Sequence, residues 1–425
     1  MTIPSNSSRR GFLQSGLAAG AFLALPAVTY RNAFAADEKP SEKIRIGIIG
    51  VGAQGKGNMG KVKANVVSIC DVDSTRLAAA GKTIPDAVLV ADYRKMLDSK
   101  DVDAVLISTP DHWHALQTVS ACQAGKDVYC EKPLTLTIAE GRAIVNAARK
   151  NKRIVQTGSQ QRSSKEFRQG CELVRNGAIG KVKQVLVGLP GPNFKGPAVP
   201  DAAPPAELNY DLWLGPAPER PYNEKRGHYL FRFFWDYSGG QQTNFGAHHL
   251  DIAQWGLGMD NTGPTEISAT ATFNKDKWFE TPETAKIEYT YANGIKMLCS
   301  LGNGGYPSGT TFEGEKGKVY VNRGKIEVVL NGEKVADPYK LPTGETKLIV
   351  SNGHHAHWLA CIKSRELPIT DCEIGHRSAT VCHLGNIAVR TGKKIAWDPA
   401  KEEITGDPET AKMVSREYRK PWSLS

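Results

Sequence analysis

Ile44-Arg45-Ile46-Gly47-Ile48-Ile49-Gly50-Val51-Gly52-Ala53-Gln54-Gly55 is the stretch on which the fold turns. An apolar, β-branched run of strand length leads into a glycine-spaced turn, and the residues beyond it suit the opening of a helix. Asp71 ends the next β-branched run, 21 residues after Gly50. Gly-x-Gly-x-x-Gly between a strand and a helix, with an acid at that offset, is the fingerprint of a dinucleotide-binding βαβ unit. Gly50 permits the tight turn, Gly52 lets the backbone approach a pyrophosphate, and Gly55 allows close helix packing. Ala53 and Gln54 then lie where the phosphates meet the helix N-terminus. Asp71 can accept from both ribose hydroxyls and would repel a 2'-phosphate. NAD is therefore favoured over NADP, with Arg76 the one feature that softens the choice.

Working outward, Val66 to Cys70, Ala104 to Ser108, Asp127 to Cys130 and Arg153 to Gly158 repeat the strand-like pattern. Ala115 to Lys126 and Ile138 to Lys150, apolar at helical spacing, lie between them. Runs apolar on both faces with helical crossovers predict an α/β fold with a doubly wound parallel sheet over residues 41–163. Beyond it, a helix over Lys165 to Val174 and a strand over Val182 to Gly188 lead into a Gly/Pro-rich segment and aromatic-rich stretches around Trp213 and Tyr229 to Tyr237. From Glu266 strands follow one another directly, with Asn293-Gly294 and Arg323-Gly324 as tight-turn signals. Residues 164–425 are therefore expected to form an α+β domain with a large, mostly antiparallel sheet. The open face of that sheet is the expected interface of a homodimer or homotetramer. The helical stretches Ala356 to Lys363 and Arg377 to Arg390 are expected to pack back on the first domain.

With 425 residues, 40% hydrophobic and 23% charged, the chain has the composition of a soluble globular protein of two or three domains. The net charge of +10 is spread without a basic run or an arginine-aromatic alternation, which argues against nucleic-acid binding. Eight scattered cysteines with no Cys-x-x-Cys pair read as buried thiols rather than a disulfide framework. At the start of the chain, Ser8-Arg9-Arg10-Gly11-Phe12-Leu13 precedes a short Gly/Ala-rich apolar run and then Ala33-Phe34-Ala35. Residues 1–35 read as a twin-arginine signal peptide, giving a periplasmic protein with no integral membrane segment after its removal. That route carries folded proteins, so a cofactor-loaded enzyme with tightly held NAD is expected.

The fourth clear strand ends in Ser108-Thr109-Pro110-Asp111-His112-Trp113-His114 and the fifth in Cys130-Glu131-Lys132-Pro133, both at the carboxyl edge where doubly wound folds bind ligands. The glycine loop, the Thr-Pro-x-x-x-His turn and Glu-Lys-Pro resemble the Gfo/Idh/MocA family, which includes glucose-fructose oxidoreductase and inositol dehydrogenase. Tyr210 to Pro216, the run from Gly239 to Trp255, Gly375-His376-Arg377-Ser378 and Cys382 to Asn386 extend the resemblance over nearly the whole mature chain. The resemblance implies that Lys132 sits beside the nicotinamide and the substrate hydroxyl. It also implies cofactor contacts for Ser108, Thr109, Pro110, His112, His114 and Glu131. A lysine there can hydrogen-bond a sugar hydroxyl and stabilise a developing alkoxide. The family's Gly-x-x-x-Asp-x-x-x-His falls on Gly240, Asn244 and His248, with Asn244 where an acid is usual. His248 remains the natural proton acceptor, and His249, about 100° away on a helix, is the alternative. Gln160 and Arg162 are expected to face the crevice, contacting nicotinamide and substrate. Trp235, Asp236 and Tyr237 are candidates for a sugar platform, an aromatic face with an acid to hold hydroxyls. His112 with His114, and His354, His355 and His357, have metal-like spacing but need further converging ligands, so no metal is assigned.

The function expected is hydride transfer between a CH–OH carbon of a sugar, sugar derivative or polyol and NAD. Two alternatives stay open: a redox-neutral glycosidase or epimerase that oxidises its sugar transiently, and a non-catalytic sugar- or cofactor-binding protein, to which Asn244 lends weight.

Overall fold

A computed structural model describes residues 43–193, 197–276, 278–302, 305–342 and 344–424. The twin-arginine segment lies outside them. Six parallel strands form the first sheet: β1 (Ile46–Ile49), β2 (Val66–Cys70), β3 (Val88–Val90), β4 (Ala104–Ile107), β5 (Asp127–Cys130) and β6 (Val155–Thr157). Their order is β3-β2-β1-β4-β5-β6, which reverses direction between β1 and β4 and leaves a crevice at that point. The register lines up the carboxyl ends, since Ile49 pairs with both Cys70 and Ile107, and Cys130 with both Ile107 and Thr157. Consequently Gly50, Asp71, Ser108, Glu131 and Gly158, the residues that follow β1, β2, β4, β5 and β6, share one edge. Apolar side chains fill both faces: Ile46, Ile48 and Ile69 pack with Trp358 and Ile362 on one side, and Val105, Ile107 and Val128 with Leu116 and Ile144 on the other.

The second sheet has ten strands: β7 (Val182–Leu189), β8 (Glu266–Thr272), β9 (Thr284–Thr290), β10 (Lys296–Leu301), β11 (Gly309–Gly314), β12 (Gly317–Asn322), β13 (Lys325–Leu330), β14 (Glu333–Lys334), β15 (Ile395–Asp398) and β16 (Glu403–Thr405). The order is β14-β13-β12-β11-β7-β10-β9-β8-β15-β16, antiparallel except where β7 runs parallel to β10. One face of it is covered by the helices Lys165–Arg175, Gly246–Leu257 and Cys372–Thr391, with Leu250, Ile287, Phe312 and Leu384 in the core between them. The last of these helices also clamps the two halves together, because Arg142 and Arg149, on the helix Ile138–Lys150 of the first domain, pair with Glu373 and Asp371. His354–Ser364 lies against the first sheet, where His355 stacks on Tyr129. Both C-terminal helices thus pack back as expected. All eight cysteines are buried free thiols. Among the described residues no helix is long and apolar enough to cross a membrane.

Candidate active site

Between the carboxyl edge of the first sheet and the helical layer of the second lies a cleft of about 470 Å³, within the range of small-ligand sites. Its floor at one end is the glycine loop. Gly50 has φ +86°, and a Cβ on it would lie 3.0 Å from the Ser108 backbone. A Cβ on Gly55 would stand 2.0 Å from the Gly50 carbonyl oxygen, so only glycine lets the helix Ala53–Lys61 start this close to the strand. No side chain caps that helix, which leaves its first amides facing the cleft. Asp71 lies alongside, each carboxylate oxygen accepting one backbone amide, from Val51 at 2.8 Å and Asp73 at 2.9 Å. Burial pushes its carboxyl above the usual aspartate range, against those donors and Arg76. Arg76 pairs with Asp73 at 3.3 Å and reaches over Gly52. An uncapped helix end, a glycine cradle and a carboxylate with lone pairs to spare fit a dinucleotide.

The other end is built from the Glu-Lys-Pro turn after β5. Glu131 accepts from Gln54 Nε2 at 3.0 Å and Asn58 Nδ2 at 2.8 Å, which ties this turn to the glycine-loop helix. The Lys132-Pro133 bond is cis. Half-buried Lys132 crosses to the second domain, where Nζ donates to Asn244 Oδ1 at 2.8 Å and to the Asn244 carbonyl at 3.0 Å. Gln241 Oε1 accepts from Asn244 Nδ2 at 2.8 Å, which turns the amide oxygen toward the lysine. Burial lowers the Lys132 ammonium to about 8, with Glu131 acting in the opposite sense. His248 lines the same cleft, and its Nδ1 is buried with no partner. Burial and then the charge of Lys132 hold its ring well below the ordinary imidazole range, so it is neutral at pH 7.

His114 links the two turns. Its Nδ1 lies 2.7 Å from the Pro133 carbonyl and its Nε2 2.9 Å from the Thr109 carbonyl. Two carbonyl partners require two N–H donors, which is the imidazolium. Burial opposes that charge, but Cys130, Asp111 and the Pro133 carbonyl together hold the ring up to about 10.

The cleft is lined by Gly50, Gly52, Ala53, Gln54, Asp71 and Arg76 at one end, and by Ser108, Thr109, Pro110, His114, Glu131 and Lys132 along the middle. Gln160, Asn244 and His248 line it as well. Several other candidates are held elsewhere. Arg162, expected in the crevice, is 1% exposed and held by buried Asp251 and partly buried Asp260, both at 2.7 Å, because two carboxylates attract a guanidinium more strongly than an open cleft does. His249 is buried and does not line the cleft, being stacked on Phe245 and pushed down to about 4 by burial. Tyr237 packs in an aromatic cluster with Trp213 and His112, Asp236 pairs with Arg220, and the Arg390 guanidinium covers Trp235, so no sugar platform faces the cleft. His112, buried and neutral, is committed to the Trp213 carbonyl at 3.0 Å. His354 bonds Ser163 and the Thr157 carbonyl, and His357 accepts from the Ile369 amide. Conversely, His228, Tyr229, Phe231, Arg232, Phe245 and Arg323 line the cleft without having been singled out. An arginine inside an otherwise aromatic run was the available signal for Arg232. Arg323 looked only like part of a turn.

Residues 44–159 match the description "Oxidoreductase family, NAD-binding Rossmann fold", and residues 194–424 match "Oxidoreductase family, C-terminal alpha/beta domain". Inositol 2-dehydrogenase of Salmonella typhimurium is 32% identical over 172 residues, 39% of this chain and 50% of that protein. The chain thus spans about half the length of the curated relatives it matches. Among solved structures, the WlbA dehydrogenase from Bordetella pertussis, in complex with NADH and UDP-GlcNAcA, aligns with a TM-score of 0.66 at 21% identity, covering 84% of this chain and 98% of that one. The aldose-aldose oxidoreductase from Caulobacter crescentus, complexed with glycerol, aligns at 0.64 with 20% identity, covering 83% and 99%. With both of its domains matched, and the second match alone spanning more than half of its length, the chain belongs to the Gfo/Idh/MocA oxidoreductase family.

Proposed function

We propose that the chain oxidises a CH–OH carbon of a sugar, sugar derivative or polyol, using NAD in preference to NADP and retaining it tightly. The observation that carries this is Lys132 held by Asn244 in one cleft with the glycine loop and Asp71. Inositol 2-dehydrogenases among its relatives, and NADH in a structural neighbour, support the same reading. When bound, nicotinamide supplies a hydride acceptor. The protein's part is to hold the substrate hydroxyl and manage its proton. Lys132, with its pKa lowered to about 8, has an amine fraction at neutral pH that can take that proton. The two oxygens of Asn244 then stabilise the ammonium. Neutral His248 presents a ring that can hydrogen-bond a neighbouring hydroxyl. Asp71 disfavours a 2'-phosphate by charge, which supports NAD.

Native mass spectrometry of gently purified protein should show one NAD(H) per subunit, and added sugars should reduce it in a single turnover. Empty protein that binds NAD only weakly would reject retention. A broad sugar and polyol panel that never reduces bound NAD would reject the activity. The twin-arginine route is proposed from Arg9 and Arg10, and delivery beyond the inner membrane should fail when both become lysine.

A further inference from the structure

Besides the His114 imidazolium, four cationic side chains line the cleft: Arg76, Lys132, Arg232 and Arg323. Arg76 has Asp73, and Lys132 has the oxygens of Asn244. Arg232 and Arg323 form no ion pair with a carboxylate among the described residues. Instead, aromatic faces hold them. The Arg232 guanidinium lies 4.6 Å from the Tyr229 ring and 4.8 Å from the Phe231 ring, and Nη1 donates to the Tyr229 carbonyl at 2.8 Å. The Arg323 guanidinium lies 5.5 Å from the ring of Phe245, the residue after Asn244. Stacking fixes the plane of a guanidinium and leaves its N–H edge free, the arrangement that receives a planar or tetrahedral anion through paired hydrogen bonds. The two acids nearby act on Lys132 through space but form no ion pair with either guanidinium. Glu131 is taken up by Gln54, Asn58 and the Lys132 amide, and buried Asp111 accepts from the Ser238 hydroxyl. With the His114 imidazolium counted, the end of the cleft that carries Lys132 holds four cations, the others being Lys132, Arg232 and Arg323, against the two acids Glu131 and Asp111, a surplus that a ligand can balance.

We infer that the substrate is an anionic carbohydrate, carrying a carboxylate or a sulfate ester that Arg232 and Arg323 grip while its neutral hydroxyl faces Lys132. This rests on the oxidoreductase reading for the role of Lys132, but the grip itself is a matter of binding. Both guanidiniums, after burial, also help lower the Lys132 ammonium, so an anion placed between them would raise it again.

The test is calorimetric titration of the purified holoenzyme with matched sets: glucose, glucuronate and glucose 6-sulfate, then galactose and its two counterparts. At least one anionic member should bind about tenfold or more tighter than its neutral parent, with an advantage that shrinks as salt is added. Uronate or sulfate arms distinguish the two sources of charge. In Arg232→Gln/Arg323→Gln the advantage should fall to within about threefold. Anionic and neutral members binding alike, no anionic member binding at all, or a double variant that keeps the preference would each overturn the inference. Loss of NAD affinity in the double variant with the sugar preference intact would assign the arginines to the cofactor and overturn it as well. Selective binding without reduction of bound NAD would sink the oxidoreductase reading and leave this inference standing. Reduction by neutral sugars with no anionic preference would do the reverse.

Discussion

Lys132 donates to both oxygens of Asn244, the side-chain Oδ1 at 2.8 Å and the main-chain carbonyl at 3.0 Å. The family's usual acid at this position would supply a full negative charge, whereas here only dipoles face the ammonium. That leaves burial free to lower Lys132 to about 8.

Lys132→Met should abolish turnover while leaving the cofactor bound, because methionine keeps the length and volume of the side chain but can neither donate to a hydroxyl nor accept its proton. The expected loss in single-turnover reduction of bound NAD is about 10² to 10³ or more. A variant that reduces NAD within a few-fold of the parent rate would exclude Lys132 from the chemistry.

The single-turnover rate should rise with pH through about 8, as Lys132 loses its proton and becomes able to accept one. Asn244→Asp should move that inflection upward by about 1 to 3 pH units, because a carboxylate against the ammonium favours the charged form. A pH–rate profile of both proteins decides this. An inflection that stays in place would mean that another group titrates in the reaction.

Gly55→Ala should weaken cofactor retention and stability together. The added Cβ would meet the Gly50 carbonyl at 2.0 Å, and backbone on both sides cannot yield as a flexible side chain could. A loss of roughly 1 to 3 kcal/mol is expected, to be read from denaturant unfolding alongside NAD occupancy. Parent-like values for both would show that the turn has room.

Arg162→Gln should destabilise the protein by about 3 to 5 kcal/mol, since it leaves Asp251 and Asp260 without their cation in a buried site. The folded fraction should keep the parent's KM for sugar. A specific rise in KM at unchanged stability would return Arg162 to the substrate, the role its place in the chain had suggested.

His114→Gln should loosen the register between the turns after β4 and β5, because both N–H groups of the amide leave one nitrogen, whereas the Thr109 and Pro133 carbonyls are bonded by two separate ring nitrogens. Stability contributed by the imidazolium is fully present below its unfolded value near 6.5 and is lost as pH rises through about 10. The difference in unfolding free energy between parent and variant should therefore narrow on the alkaline side. A difference that is independent of pH from 6 to 10 would argue against a charged ring.

Much of the first domain was legible because its determinants are local. Buried parallel strands read as unbroken apolar runs, and the glycine loop encodes its own turn, so β1, β2, β4 and β5 and the Asp71 position follow from neighbouring residues. The exposed edge strand Val88–Val90, apolar but only three residues long, and the threonine-bearing strand Gly309–Gly314, which has no continuous apolar run, escaped notice. Their strand character comes from the partners β2, β7 and β12. The same division runs through the site. Lys132, Asn244 and His248 were readable as motif positions, but that Lys132 reaches Asn244 across 112 residues is a product of domain packing. Whether an arginine meets acids or a cleft is also settled by residues remote in sequence. Arg162 is claimed by Asp251 and Asp260, 89 and 98 residues away, while Arg232 and Arg323 lie against aromatic faces and pair with no carboxylate among the described residues. Sequence alone thus determined the strand–turn–helix chemistry that marks a dinucleotide site. Tertiary structure decided which charges are neutralised inside the protein and which are left facing the cleft, because a charge finds its partner through space and not along the chain.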